Sequence, residues 1–196
     1  LGSSPIIQNQ KKCVHKTGLQ VQKVVFQTLA DAEVVLSPEE KDMGAIVINI
    51  GSGSTNYIAY AGGAPVHVGG INRGSDLVTS DIAYLFQLPK AAAESLKLTD
   101  GSCYSPGIDE TDMMVTPALG GKPAIRMPRK EFAKVIEARM AEILLMIQQD
   151  LQDNQIQGPF GGGIVLVGGG ALMGGVTELA AEIFRLPSRI GFPEAI

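Results

Sequence analysis

Dense runs of apolar, mostly β-branched residues occur at two places in this chain and predict buried strands. The first run, 45–50, contains one polar residue, Asn49, and the second run is 163–167. A bend of small residues at 51–55 follows the first run, which predicts an antiparallel meander beyond it. By the same patterns, strands are also predicted at 19–26, 56–61 and 65–68, and a further strand begins at 187–190.

Apolar residues spaced three and four positions apart predict helices in the rest of the chain. The longest is 129–151, where Phe132, Ile136 and Met140 belong to one buried face. The charge run 39–42 is predicted to be a solvated turn, and 99–127 to be short strands and loops. Shorter helices are predicted at 6–18, 28–36, 74–89, 91–98 and 176–184. This alternation of strands and helices indicates the α/β class.

Composition narrows the functions that this α/β chain can have. With 196 residues and 45% hydrophobic residues, it can bury the core of one domain or two small lobes. A net charge of −4 argues against nucleic-acid binding, which needs clustered lysine and arginine. The two cysteines lie far apart, without metal-ligand spacing. No apolar run approaches the roughly 20 residues of a membrane-spanning helix. Since both ends stop within a pattern, we expect a piece of a longer protein.

Two glycine-rich segments are candidate ligand loops. Residues 51–55 form a bend of small residues whose backbone N–H groups and hydroxyls suit a phosphate, although an ordinary glycine hairpin has the same sequence. Residues 168–171 lie between a buried strand and a helix, where free amides at a helix N-terminus suit a phosphate or a nucleoside. A plain α/β turn is an equal alternative. Neither segment has the Rossmann or P-loop spacing.

One pair of charges, Glu94 and Lys97, lies three residues apart on a predicted helix. Such pairs are usually solvated and stabilise a helix by only a few tenths of a kcal/mol. The functional alternative is that these two side chains hold the ribose and base of a nucleotide.

Taken in order, these elements resemble the second half of the actin/Hsp70 ATPase fold, which is ribonuclease H-like, with a small inserted α+β lobe. Within that superfamily the chain is most similar to the FtsA family of bacterial cell-division proteins. Nearly the whole chain takes part in the resemblance. The stretches that carry it are 7–19, 29–44, 49–55, 78–83, 93–103, 135–142 and 163–171.

The resemblance implies an ATP-binding, actin-like scaffold that links the division ring to the membrane. It implies that the protein recruits the tubulin-like ring protein FtsZ and self-associates into filaments. On the matching positions, 51–55 is the second phosphate loop, Glu94 and Lys97 flank the nucleoside, and 168–171 is the adenosine loop. The implied ATP-binding residues are Gly51, Ser52, Gly53, Ser54, Thr55, Glu94, Lys97, Gly168, Gly169, Gly170 and Ala171.

Two positions depart from the family pattern. Asn49 stands where the family has an aspartate that supports magnesium and its waters, and Asn56 stands where an aspartate is usual. An amide cannot act as a general base, so we expect ATP binding with at most weak hydrolysis and assign no catalytic residue. Mg²⁺ would be carried on the ATP phosphates, without a metal site of its own on the chain.

The resemblance also divides the chain into parts. Residues 1–43 would be a boundary segment from a missing first half, 44–71 with 128–196 a larger lobe, and 72–127 an inserted smaller lobe. Membrane contact would use a C-terminal helix absent from this sequence, at the cytoplasmic face of the cell membrane.

The main alternative is a degenerate actin-like adaptor that acts through protein contacts without nucleotide. An active Hsp70-like or sugar-kinase-like ATPase is disfavoured because no substrate-binding signature is present.

Overall fold

The computed structural model describes residues 4–116 and 123–193. Its helices are α1 (Ser4–Lys16), α2 (Gln27–Val35), α3 (Pro38–Met43), α4 (Asp76–Leu85), α5 (Lys90–Asp100), α6 (Arg129–Asp153) and α7 (Val176–Phe184). Its strands are β1 (Ala45–Ile50), β2 (Thr55–Ala61), β3 (Ala64–Ile71), β4 (Met113–Val115), β5 (Arg126–Pro128), β6 (Gly163–Val167) and β7 (Ser188–Ile190). Parts of the predicted lobes and loops at 1–3, 117–122 and 194–196 lie outside the described residues.

Five of the strands form one mixed sheet in the order β3-β2-β1-β6-β7. Strand β1 pairs antiparallel with β2 and parallel with β6, so it lies at the centre, and all six of its residues are buried. Strands β2 and β3 pair antiparallel, which confirms the predicted meander. Because β1 and β6 run parallel, the segments that follow them, 51–54 and 168–171, leave the sheet at the same edge.

Helices cover both faces of this sheet. On one face, α6 packs its predicted stripe against the sheet, and the Phe132 ring lies 5.5 Å from the ring of Phe86. On the other face, α2 packs Ala32 and Val35 against Val47 of β1 and Val165 of β6. Side chains that alternate along β1 therefore point to two different cores, and Asn49 shares the α2 face with Val47.

Most predicted elements are confirmed within a few residues, including the strands 45–50 and 163–167 and the helix 129–151. The segment between β3 and α6 carries α4, α5 and a small two-stranded sheet made of β4 and β5, in keeping with the predicted short strands. In the part of the chain that the structure describes, no helix is long and apolar enough to cross a membrane.

Two sequence predictions are wrong. The predicted strand 19–26 has no regular secondary structure, and Leu19 is 65% exposed. A strand requires a neighbouring backbone to pair with, and alternation along one segment cannot supply it. The predicted turn 39–42 belongs to helix α3 instead. Ser37 accepts a hydrogen bond from the Glu40 N–H, and the Glu40 carboxylate accepts one from the Ser37 N–H, which is a capping box that starts the helix.

Candidate functional site

A cleft of about 380 Å³ opens where four separate stretches of the chain meet. The loop after β1, the start of α4, the end of α5 and the turn after β6 each contribute to its wall. Its volume lies within the range of small-molecule sites, about 300–1,000 Å³. The lining residues are Ser52, Ser75, Glu94, Lys97, Leu98, Gly101, Gly169, Gly170, Leu172, Met173 and Gly174. Three segments that sequence analysis singled out independently thus converge on one cavity.

The loop after β1 is fixed by its own carbonyl groups. The Gly51 carbonyl accepts the Ser75 N–H at 2.9 Å, and the Ser52 carbonyl accepts the Asp76 N–H at 2.9 Å, so the loop is tied to the start of α4. The exposed N–H groups of Ser52 and Gly53 have no acceptor among the described residues. Ser52 lines the cleft, so its N–H group remains available to an anion there, and the Gly53 N–H group follows it in the same loop.

The Thr55 hydroxyl has a different role from the one predicted. The residue is fully buried, and its hydroxyl donates to the Arg73 carbonyl at 2.8 Å. This bond ties β2 to the chain that follows β3. In this loop, hydroxyl groups for a phosphate can therefore come only from Ser52 and Ser54. Of these two residues, Ser52 lines the cleft.

The charge pair on α5 is not the solvated pair that its spacing suggests. Lys97 is only 7% exposed, and its ammonium group donates to Glu94 at 2.7 Å, to the Thr79 hydroxyl at 2.9 Å and to the Ser75 carbonyl at 3.5 Å. Three acceptors use the full donor capacity of an ammonium group. Lys97 therefore fixes Glu94 and connects α5 to α4, while Glu94 presents the more accessible carboxylate to the cleft.

These contacts change the acidity of Glu94. Burial would raise the pKa of the Glu94 carboxyl, but hydrogen bonds from Lys97 and Thr79 outweigh it, and the pKa lies below its ordinary value of 4.5. A carboxyl with a lowered pKa stabilises the fold above its unfolded-state pKa, and that contribution disappears as the pH falls through the folded-state value.

We therefore expect Glu94→Gln to destabilise the protein at pH 7 and to cost progressively less as the pH falls below about 4.5. Chemical unfolding of the wild type and the variant between pH 3 and 7 measures this difference. Glu182→Gln, at an exposed position of α7, serves as a carboxylate control outside the cleft. A difference between Glu94→Gln and the wild type that is constant with pH would contradict this account.

The turn after β6 departs from the predicted helix N-terminus. Residues Gly169–Leu172 form a short 3₁₀ turn, and α7 begins only at Val176. Gly168 has a φ of +86°, which a residue with a side chain rarely adopts. Gly170 packs against the Ile50 side chain, whereas a side chain at Gly169 would meet nothing within 4 Å. Gly169 thus faces open space in the cleft.

Several cleft residues were missed by the sequence analysis. Leu98 and Leu172 are 73% and 71% exposed, and with Met173 they give one end of the cleft an apolar lining. A signal for Leu98 was present, because it falls outside the buried stripe of α5 formed by Ala93, Leu96 and Lys97. Nothing in the local pattern marks Ser75 or Leu172.

An unpredicted acidic partner lies beside the first of the two asparagines. The Asn49 amide nitrogen donates to the Asp31 carboxylate of α2 at 2.5 Å, and Asn49 is only 7% exposed. Asn56 is directly opposite Asn49 in the β1–β2 register. Within the described ranges, no three His, Cys, Asp or Glu side chains form a metal-binding group.

A second cavity, of about 600 Å³, lies between α4 and α6. It contains none of the predicted site residues. Its charged residues include Arg139, which donates to Asp81 at 2.6 and 3.0 Å and pairs with Glu142.

The fold of the chain is that of the actin-like ATPases. MreB5 of Spiroplasma citri bound to ADP superimposes with a TM-score of 0.82 at 18% identity, over 97% of this chain and 61% of that one. The subunit of the MamK double helical filament superimposes with a TM-score of 0.76 at 18% identity, again over 97% and 61%. These similarities confirm the predicted fold class.

Within this class, the chain belongs to the FtsA family of cell-division proteins. The family model described as Cell division protein FtsA matches residues 46–196. The FtsA of Borreliella burgdorferi is 39% identical over the whole chain and 48% of its own length. The FtsA proteins of Neisseria meningitidis and Escherichia coli are 36% and 34% identical, over 98% and 95% of this chain. The chain spans about half the length of these relatives.

Proposed function

We propose that this chain forms one wall of an ATP site in an actin-like scaffold of bacterial cell division. The observation that carries the proposal is the convergence of the 51–54 loop, the Glu94–Lys97 pair and the 169–170 turn on one cleft. A protein of the same fold, MreB5 of Spiroplasma citri, has been crystallised with ADP and with AMPPNP.

The chemistry of the cleft matches the parts of a nucleotide. The open N–H groups of Ser52 and Gly53 suit phosphate oxygens, and the Glu94 carboxylate suits a ribose hydroxyl. At the apolar end, Leu98 and Leu172 suit a flat base. Mg²⁺ bound through the phosphates would need few protein ligands.

We expect the protein to bind ATP without hydrolysing it efficiently. Asn49 and Asn56 provide no general base at the end of the central hairpin. A ligand that prefers one of two conformations shifts their populations without being consumed. We therefore propose that ATP holds the scaffold in a competent state, with at most weak hydrolysis.

At the level of the cell, we propose the roles that the family implies. The protein would recruit FtsZ, self-associate into filaments and reach the membrane from the cytoplasm through a C-terminal helix. MamK, a protein of the same fold, forms a double helical filament.

We further propose that the chain is divided into three parts. Residues 44–71 and 128–196 form the larger lobe, 72–127 form the inserted smaller lobe, and 1–43 form the boundary segment.

A second candidate is an adaptor that works without nucleotide. It is favoured by Lys97, whose donors are all used within the protein. A protein of the same fold, PilM, forms a pilus biogenesis complex with PilN and superimposes with a TM-score of 0.67 at 19% identity.

Calorimetric titration of the protein expressed from its complete gene distinguishes the two functions. The ATP-site proposal predicts saturable binding of ATP in the presence of Mg²⁺ with a 1:1 stoichiometry. The adaptor proposal predicts no heat of binding at ATP concentrations up to the millimolar range. Inorganic triphosphate and adenosine, titrated separately, report which end of the cleft supplies the affinity.

A further inference from the structure

A buried hydroxyl group lies behind the wall of the cleft. The buried residues of α4 are Val78, Thr79 and Ile82, and Thr79 is completely buried. The Thr79 oxygen accepts a hydrogen bond from the Lys97 ammonium group at 2.9 Å, and its hydroxyl donates to the Glu94 carboxylate. Thr79 therefore uses its donor and an acceptor site inside the protein, and it connects the two charged residues of α5.

The hydrogen bonds to Glu94 converge on one of its two carboxylate oxygens. Glu94 Oε2 accepts from Thr79 and also from Lys97, the latter at 2.7 Å. Glu94 Oε1 has no hydrogen-bond partner among the described residues, and the side chain is 42% exposed in the wall of the cleft. The carboxylate is thus held through one oxygen and has the acceptor sites of the other free for a ligand.

The orientation of this carboxylate matters because Glu94 stands between two cavities. It lines the cleft and also a smaller neighbouring cavity of about 240 Å³. The smaller cavity is lined as well by Asp76 and by Lys90, whose ammonium group lies 2.7 Å from Asp76. A glutamate side chain without fixed donors is free to rotate, and Lys90 would then compete for its charge. The two donors on Oε2 restrict the carboxylate to one orientation.

We propose that Thr79 is a positioning residue for ligand selection: its hydroxyl fixes Glu94 so that Oε1 accepts a hydrogen bond from a ribose hydroxyl, and the protein thereby prefers ribonucleotides to deoxyribonucleotides. Thr79 is buried and acts only through Glu94. A fixed charged acceptor discriminates against an analogue without the hydroxyl, because the carboxylate then loses its partner in the cleft. This selection rests on the proposed nucleotide function, since it requires a nucleotide in the cleft.

Thr79→Val removes the hydroxyl and keeps the branched shape of the side chain. Affinities for ATP, 2′-deoxyATP and 3′-deoxyATP, each with Mg²⁺, are measured by calorimetry on proteins expressed from the complete gene. We expect the wild type to bind ATP at least about tenfold more tightly than one or both of the deoxy analogues. Thr79→Val should reduce this preference at least about fivefold, and Thr79→Ser, which keeps a hydroxyl, should retain it.

The ratio of two affinities separates positioning from stability. If Thr79→Val folds less completely, the smaller fraction of competent protein weakens the binding of both ligands equally, so their ratio does not change. The matched control is Thr99→Val, which removes a hydroxyl from an exposed threonine of α5 that lines neither cavity. Thr99→Val should show the wild-type ratio.

The possible outcomes distinguish this role of Thr79 from the nucleotide function itself. A wild-type ratio in Thr79→Val, or loss of the preference in Thr79→Ser, would overturn the positioning role. Equal binding of ATP and both analogues by the wild type would overturn the ribose preference and leave the proposed function in place. If the wild type binds none of the three nucleotides, the proposed function fails, and ligand selection through Thr79 fails with it.

Discussion

Replacing Gly169 with leucine is expected to lower the affinity for ATP with Mg²⁺ by roughly 100-fold, equivalent to about 3 kcal/mol, without disturbing the fold. Gly169 lines the cleft, and a side chain built there meets no atom within 4 Å. Its φ lies outside the left-handed region, so a leucine can adopt the same backbone. The added side chain would fill space that the nucleotide needs.

The matched control for this change is Ser95→Leu, which adds the same side chain to an exposed position of α5 outside the cleft. Calorimetry should find the wild-type affinity in Ser95→Leu and a large loss in Gly169→Leu, while thermal unfolding without ligand stays similar for both. Wild-type affinity in Gly169→Leu would show that ATP binds elsewhere.

The second large effect concerns the helix that supports the sheet. Phe132→Ala should reduce the free energy of unfolding by about 3–5 kcal/mol, because a fully buried ring that contacts Phe86 would be replaced by a cavity. Leu145→Ala on the same helix removes a side chain that is 49% exposed and should change the free energy of unfolding by less than about 1 kcal/mol.

Chemical denaturation of the two α6 variants measures this contrast. Equal losses for Phe132→Ala and Leu145→Ala would mean that α6 does not bury the face described above. A loss confined to Phe132→Ala would support the burial of this face of α6 against the sheet and Phe86.

The elements that sequence analysis predicted well are those whose burial repeats along the chain. Helix α6 could be predicted because its buried residues recur at helical spacing, and β1 could be predicted because it is a short continuous apolar run that is buried on both faces. The charge run at 39–42 predicts a solvated turn because it contains no apolar position at helical spacing, whereas helix α3 starts at the capping box of Ser37 and Glu40. The strand predicted at 19–26 is wrong for a different reason. A strand forms only where its backbone can pair with a second strand, and alternation of apolar residues within one segment does not reveal such a partner.

The segments that form the candidate site could be predicted from the sequence. The contacts that each residue makes within those segments could not. The spacing of three residues predicts that Glu94 and Lys97 form an ion pair on α5. It does not predict that α4 packs over Lys97, where Thr79 accepts a hydrogen bond from the buried ammonium group. Adjacent glycines look alike in sequence, whereas in the structure Gly170 packs against Ile50 and Gly169 borders open space in the cleft. The contact between Asp31 and Asn49 joins residues 18 positions apart on different elements, so no motif contains it.

The central claim, that the cleft holds a nucleotide, is tested most directly by backbone amide chemical shifts of the protein as ATP with Mg²⁺ is added. The account predicts the largest changes at Ser52, Gly169 and Gly170, which lie in two separate segments of the sequence and line one cavity. The chemical shifts of residues that line the cavity between α4 and α6, such as Lys134 and Ala138, should not change. Shifts confined to that second cavity, or none at all at saturating ATP, would contradict the claim.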